Sequence, residues 1–423
     1  MTKMTRIGRR AALAGSAAAI GALSATGGRA QSRPINFTAW SAAVDQVKSH
    51  ISAFEKATGQ KVNYENFPWA QYRTSVVTRL VGNAPMDVLW VSDAWLPEFA
   101  EAGWLAPIDD IPELMKYNAD AAAYCTNSMV YKAKQYGLSY YGDHMSFVYN
   151  TELLQKAGIA APPTTWDEVV QQSLRIKQGG HAEFPLLLAL AIDTWLVEFM
   201  SAMVFSNGGR FTDDRGDAVM ADAARGAVST AQWLRDAIHA HKIVSPGAVE
   251  TTEINALRAI GAGQAAFAIV PTYRLRALND PSQASTASTT CGWIRFFGMT
   301  PGAKADRARR APAVQFMEFF GGKDNTGSYT LQKLLLTDVG LPFCTLPLQN
   351  DPDVKSFWEK WAGGGAVIAQ QAASAQKKDV VAPWFGEWNE TSNQAWQSVF
   401  LNRATPEAAT TAMARKWAEL KKG

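Results

Sequence analysis

The feature that most constrains this chain is a repeated change of hydrophobic period between residues 35 and 91. Ile35-Asn36-Phe37-Thr38-Ala39-Trp40 alternates with the period of two expected of a strand. Val44, Val47, Ile51 and Phe54 then recur at helical spacing, and Gly59 closes that run. Val62 to Tyr64 returns to strand character, and Trp69 to Val81 reads as a second helix. Pro85 then introduces a buried strand, Asp87-Val88-Leu89-Trp90-Val91, whose Asp87 fixes its start. A β-α-β-α-β order predicts an α/β chain with a mainly parallel sheet, because parallel neighbours need a crossover between them. Ligands of such sheets sit beyond the carboxyl ends of the strands. Trp40-Ser41 and Ser92-Asp93 occupy those ends. The bland role of Asp93 is to cap a helix starting near Ala94.

Downstream, Leu138 to Asn150 is a long extended run with polar residues at its middle, as in a strand that crosses between two lobes. Thr165-x-x-Glu168 is a capping box that starts a helix at Trp166. A helix over 184–205 is expected to end at Asn207-Gly208-Gly209. Further helices are expected near 222–241, 252–261 and 312–320, with a strand over 265–270. Thr405-Pro406 opens the last helix, with Thr as cap and Pro in the first turn.

The first thirty residues have a different character. Lys3, Arg6, Arg9 and Arg10 precede a mildly apolar stretch, Ala11 to Gly27, and Gly28-Arg29-Ala30 supplies small residues at −3 and −1. These are the parts of a secretory signal cleaved near Ala30-Gln31, which predicts a periplasmic protein. Arg9-Arg10 suggests the twin-arginine route, with Sec export as the alternative. Removing residues 1–30 takes five positive charges and no negative ones from a formal +3, leaving −2. The mature chain therefore has no basic surplus with which to grip nucleic acid or anionic lipid. The most apolar later run, 184–200, is interrupted by Asp193 and Glu198 and reads as a buried helix, not a membrane span.

Cys125, Cys291 and Cys344 form no C-x-x-C motif. They allow one disulfide at most, or three buried thiols. The five histidines are scattered, and no metal or cofactor site is expected. There are 15 tryptophans in 423 residues, enough for some to serve as flat apolar walls of a ligand site.

Four stretches together resemble the family 1 extracellular solute-binding proteins of ABC importers, the maltose-binding-like group. They are INFTAW with its helix to ATGQKVNYE, MDVLWVSDAWLPEFAEAGWLAPID, YGLSYYGDHMSFVYNTELLQKAGIAAPPTTWDEV, and GAGQAAFAIV with the Tyr273 region after it. The resemblance implies a periplasmic binding protein type II fold: two α/β lobes with a hinge and an interlobe ligand cleft. The lobes would comprise 31–142 with 288–337, and 143–287 with 338–423. It implies a monomer that captures a carbohydrate or polyol and delivers it to an ABC permease, without a cofactor.

The resemblance places Ser92, Asp93 and Asp143 at hydroxyl-binding positions, and Trp293 at a Gly-Trp turn facing the cleft. It also places one C-terminal aromatic, Trp384 or Trp388, against the ligand. Trp40, Ser41, His144, Trp195 and Gly208 join them as candidates from position and residue type. Trp195 and Glu198 would share a helix face, and Gly208 would let backbone approach a ligand. Where relatives carry a tryptophan-rich segment, this chain has Pro271-Thr272-Tyr273-Arg274. Aromatic contact there falls to Tyr273. Arg274 and Arg276 open an alternative, an anionic solute such as a sugar phosphate, sugar acid or glycerol phosphate. A secreted carbohydrate-active enzyme would need two carboxylates flanking a glycosidic bond, drawn from Asp93, Asp143 and Glu387.

Overall fold

The computed structural model describes residues 33–192, 195–278, 283–286, 290–361 and 365–422, so the leader lies outside the described residues. The opening motif folds as its periodicity dictates. Strand β1 (Ile35–Trp40) pairs in parallel with β2 (Val62–Phe67) and β3 (Val88–Ser92). Between them run helices α1 (Val44–Thr58) and α2 (Trp69–Val81). Helix α1 buries Val47, Ile51 and Phe54 and stops at Gly59, whose φ of 74° suits a residue without Cβ. Asp87 anchors the start of β3 by accepting from the Asn36 backbone N–H and pairing with Arg309.

The sheet is extended by β4 (Gly137–Asn150), β5 (Leu186–Leu187), β6 (Phe267–Pro271), β7 (Gln283–Thr286), β8 (Thr290–Met299) and β9 (Ala375–Lys377). Its main path runs β2-β1-β3-β8-β4-β6-β5. Strand β4 is the pivot. Its first half pairs with β8, placing Trp293 opposite Asp143, and its second half pairs with β6, placing Met145 opposite Pro271.

Two large apolar cores meet along this strand. The first holds Phe37, Phe54, Trp90, Phe297, Phe316 and Phe320, and the second holds Met200, Phe267, Trp293, Trp388 and Trp396. Each such fully buried ring contributes about 1.5–3 kcal/mol of transfer free energy. Membership changes between Tyr141 and Met145, between Trp293 and Ile294, and between Ala375 and Val380, so three segments cross from one core to the other. Leu341, Cys344 and Leu348 belong to the first core. Helices α4 (Pro352–Trp361) and α5 (Gly365–Ser374) pack through Trp358 and Ile368 on a third, smaller cluster.

Several elements are shorter than their sequence pattern suggests. The helix expected over 184–205 begins only at Leu196, as α3 (Leu196–Ser206); Leu186–Leu187 instead form the edge strand β5 beside β6. A continuous apolar run does not distinguish a buried strand from a buried helix, and a sheet edge was available to it. The helix expected near 222–241 spans Val228–His239. Thr405 caps the last helix by accepting from the Ala408 N–H, with Pro406 at its start.

Candidate functional site

Strand alternation sorts the residues of β4 and β8 onto two faces. Tyr141, Asp143, Trp293 and Arg295 lie on one; Gly142, His144, Gly292 and Ile294 lie on the other. The first face looks into the seam between the two large cores. There Asp143 is wholly buried. Its Oδ1 accepts from the His144 backbone N–H at 2.7 Å, and its Oδ2 from that of Tyr273 at 3.2 Å. Burial pushes its pKa up to about 7, against the lowering effect of those two donors.

Beside it lies a buried quartet of charges. Arg295 Nη1 stands 2.9 Å from Asp93 Oδ1, and Lys378 Nζ stands 3.3 Å from Asp93 Oδ2 and 3.0 Å from Glu198 Oε1. None of these four side chains is more than 5 % exposed. Asp93 follows β3, Glu198 lies in the first turn of α3, Arg295 is in β8 and Lys378 follows β9, so both cores and two crossing segments contribute. Burial works to lower the Lys378 pKa, but Asp93 and Glu198 carry it above its usual range. Two cations and two carboxylates leave the quartet balanced. Trp90 Nε1, Arg295 Nε and Glu198 Oε2 are buried there without a hydrogen-bond partner among the described residues. Among the described residues no group of three His, Cys, Asp or Glu is placed to hold a metal.

Aromatic rings flank the quartet from both sides. On the first side Trp69 packs 5.6 Å from Trp40 and stacks 5.5 Å from Trp95, with the Arg295 guanidinium 5.6 Å from its ring centre. On the second side Trp195 lies 5.4 Å from Trp293 and 6.2 Å from Tyr273. Trp40, Ser41, Trp69, Trp95, Trp195 and Tyr273 are all partly exposed, so these rims meet solvent. Partly exposed rings around buried, paired polar groups suit a ligand with apolar C–H faces and hydroxyl edges.

The structure thus gathers Trp40, Ser41, Ser92, Asp93, Asp143, Trp195, Tyr273 and Trp293 along one seam. The Asp93 carboxylate goes to Arg295 and Lys378, and Ser92 donates to it at 3.3 Å; neither side chain caps the short helix that follows. Four candidates fall elsewhere. His144 lies on the opposite face of β4, because adjacent strand residues point to opposite sides. Gly208 follows the far end of α3, about 16 Å along the axis from Trp195, with a φ of 77° that marks it as a helix stop. Trp388 is in the second core, its Nε1 donating to the Met413 carbonyl and its ring against Trp417. Trp384 precedes helix α6 (Phe385–Phe400) and stands edge-on to the same Trp417.

Arg274 makes a two-pronged ion pair with Glu253, both contacts at 2.7 Å, and lies over the Tyr273 ring. Its charge is neutralised within the protein. The side chain of Arg276 lies outside the described residues. Glu387 pairs with Lys416 on the exposed side of α6, away from Asp93 and Asp143.

Arg295 and Lys378 were not among the candidates. Arg295 had a signal: in the apolar strand run Cys291-Gly292-Trp293-Ile294-Arg295-Phe296-Phe297 a lone cation shares the face of Trp293. Lys378 had none, since only the tertiary path after β9 buries it.

Comparison with known proteins agrees with this architecture. Residues 32–326 match the model of the bacterial extracellular solute-binding proteins. The chain belongs to that family. Its relatives include the diacetylchitobiose binding protein of Streptomyces coelicolor, 27 % identical over 42 % of this chain and 40 % of that one. A probable amino-acid ABC transporter periplasmic-binding protein of Sinorhizobium fredii is 29 % identical over 46 % of this chain and 45 % of that one. The curated relatives are matched over about a quarter to just under a half of their own length. In fold, the chain resembles a maltose-bound T. maritima protein with a TM-score of 0.77, at 18 % identity, over 92 % of this chain and 99 % of that one. It also resembles an Agrobacterium radiobacter solute-binding protein in complex with ribitol, with a TM-score of 0.74, at 16 % identity, over 92 % and 100 % of the two chains. The fold is that of the type II periplasmic binding proteins, two α/β lobes hinged by crossing segments, and the seam described above lies between the two cores, where such a fold has its interlobe cleft.

Proposed function

We propose that this chain is the exported substrate-binding component of an ABC importer, taking an uncharged carbohydrate or polyol into the cleft and delivering it to a membrane permease. The observation that carries this reading is the balanced quartet Asp93–Arg295–Lys378–Glu198 beside Asp143, enclosed by aromatic rims from both lobes. Its cations already have carboxylate partners. A phosphate or carboxylate ligand would have to displace Asp93 or Glu198 and leave a buried charge unpaired, at a cost of several kcal/mol. Hydroxyls can instead add to the lone pairs and N–H groups left over. The relatives named for diacetylchitobiose and maltose are consistent with this reading, while the one named for amino acids supports a zwitterionic ligand.

The ligand contacts are assigned to Trp40, Ser41, Trp69, Asp93, Asp143, Trp195, Tyr273 and Trp293. The mature protein begins at Gln31 and works in the periplasm as a monomer that binds and releases without chemistry. The test is a melting-shift screen of residues 31–423 against neutral sugars, polyols, sugar acids, sugar phosphates and amino acids. A ligand at a thousand times its Kd adds about 4 kcal/mol of stability, well above detection. The expected result is a shift with neutral sugars or polyols and recovery of the ligand unchanged. A shift with anions or amino acids alone, or turnover of a glycoside, would overturn the proposal.

A further inference from the structure

The second face of β4 looks onto an open-mouthed cavity of about 350 Å³ between the crossing strand and helices α4 and α5. It is separate from the cleft, because the strand itself divides them: Asp143 points to one side, and Gly142 and His144 to the other. We propose that this cavity is a second small-molecule site, for a neutral ring-shaped polyhydroxyl compound of monosaccharide size, and that its occupancy is coupled to the cleft through β4.

The lining has the composition of a ligand pocket. Its floor is His144, 2 % exposed, whose Nε2 has no hydrogen-bond partner among the described residues. Burial holds this imidazole at a pKa of about 4, so it is neutral at pH 7 and offers a donor or an acceptor without charge. Trp358 and Phe343 supply aromatic surface, and Ile368 extends the apolar wall. At the mouth, Lys355 and Glu359 cancel in charge, while the amides of Gln349 and Asn350 provide hydroxyl-matching donors and acceptors. A volume of this size lies at the small end of ligand pockets.

The walls are also held in place. The disulfide Cys125–Cys344 ties the segment carrying Phe343 to the helix Ala123–Ser128, which carries Tyr124. Gly142 is pressed against that bridge, where a Cβ would collide with both sulfurs. Helix α5 is pinned to β4 through Gln371, whose Oε1 accepts from Ser146 Oγ at 3.1 Å. Coupling follows from a single bond. The backbone N–H of His144 donates to Asp143 Oδ1 at 2.7 Å, so a ligand that displaces the β4 backbone at His144 moves the donor to the cleft carboxylate. By linkage the effect is reciprocal.

The experiment uses the mature chain with 13C-labelled histidine, the His144 ring signal being assigned by its loss in His144→Gln. Glucose, N-acetylglucosamine, galactose and maltose are titrated to high millimolar concentration, before and after the cleft is saturated with whichever ligand it takes. The expected result is a saturable shift of the His144 signal with at least one sugar, and a cleft affinity altered severalfold when the second site is filled. Ala369→Trp and, independently, Ala372→Phe project bulk into the cavity from α5. Each should abolish the shift while cleft binding persists. Absence of a saturable shift with all four sugars, or a shift that survives in both filled variants, would overturn the proposal. The local reporter keeps this outcome distinct from failure of the cleft to bind sugars.

Discussion

Lys378 reaches Glu198 across the cleft floor, with Nζ 3.0 Å from Oε1 and both side chains 5 % exposed or less. The same ammonium holds Asp93 from the other lobe, so one cation joins the two halves of the molecule. Lys378→Met should strand the buried Glu198 carboxylate, leave Asp93 with Arg295 alone, and cost about 3–5 kcal/mol. The double variant Lys378→Met/Glu198→Gln should recover part of that loss. Urea denaturation measures both; a single-variant loss below about 1 kcal/mol would show that the quartet is not a structural tie.

Asp143 links stability to pH. Its folded pKa of about 7 lies above its ordinary 3.8, so the folded chain binds the proton more tightly. Its contribution is therefore fully present below about pH 3.8 and is lost as pH rises through about 7. Asp143→Asn should remove that component from the stability–pH curve. It should also weaken ligand binding at pH 8, where the carboxylate form predominates, by about tenfold or more, as expected for loss of a charged hydrogen-bond acceptor. An unchanged pH profile in the variant would contradict this assignment.

His144 has the opposite sign. Its folded pKa of about 4 lies below its ordinary 6.5, so its contribution is present above pH 6.5 and disappears as pH falls through about 4. His144→Gln should flatten the acid limb of the curve while cleft affinity changes far less than in Asp143→Asn. Equal losses of affinity in the two variants would mean that both side chains serve one site.

The tryptophans separate by role. Trp69→Ala removes a partly exposed ring from the cleft rim and should weaken ligand binding by roughly tenfold, a loss of about 1.4 kcal/mol. Trp388→Ala empties a wholly buried site and should cost about 3–5 kcal/mol of folding stability. Calorimetric titration alongside chemical denaturation distinguishes the two; the reverse pattern would place the ligand near α6.

The bridge Cys125–Cys344 closes a loop across a separation of 219 residues, with its Cα atoms 6.1 Å apart. Replacing both cysteines with serine should cost about 2–4 kcal/mol. Cys291 stays a buried thiol, so maleimide should label the native, unreduced chain only after unfolding. Rapid native labelling would contradict the buried placement.

The sequence alone determined the α/β class, the β-α-β-α-β opening, the crossing run 138–150 and the strand ends at Trp40-Ser41 and Ser92-Asp93. Those features are local: period, turn chemistry and strand-end position are written in neighbouring residues. It could not determine which of three cysteines pair, because their separations in sequence say nothing of Cβ geometry. Nor could it decide whether Trp384 and Trp388 serve ligand or core, since an aromatic residue suits both. Tertiary structure alone decided the quartet. Asp93, Glu198, Arg295 and Lys378 are far apart in the chain and meet only because three crossing segments bring two lobes against one seam. It also separated Asp143 from His144: one step along a strand turned a shared candidate site into two opposite faces, a cleft and the cavity behind it.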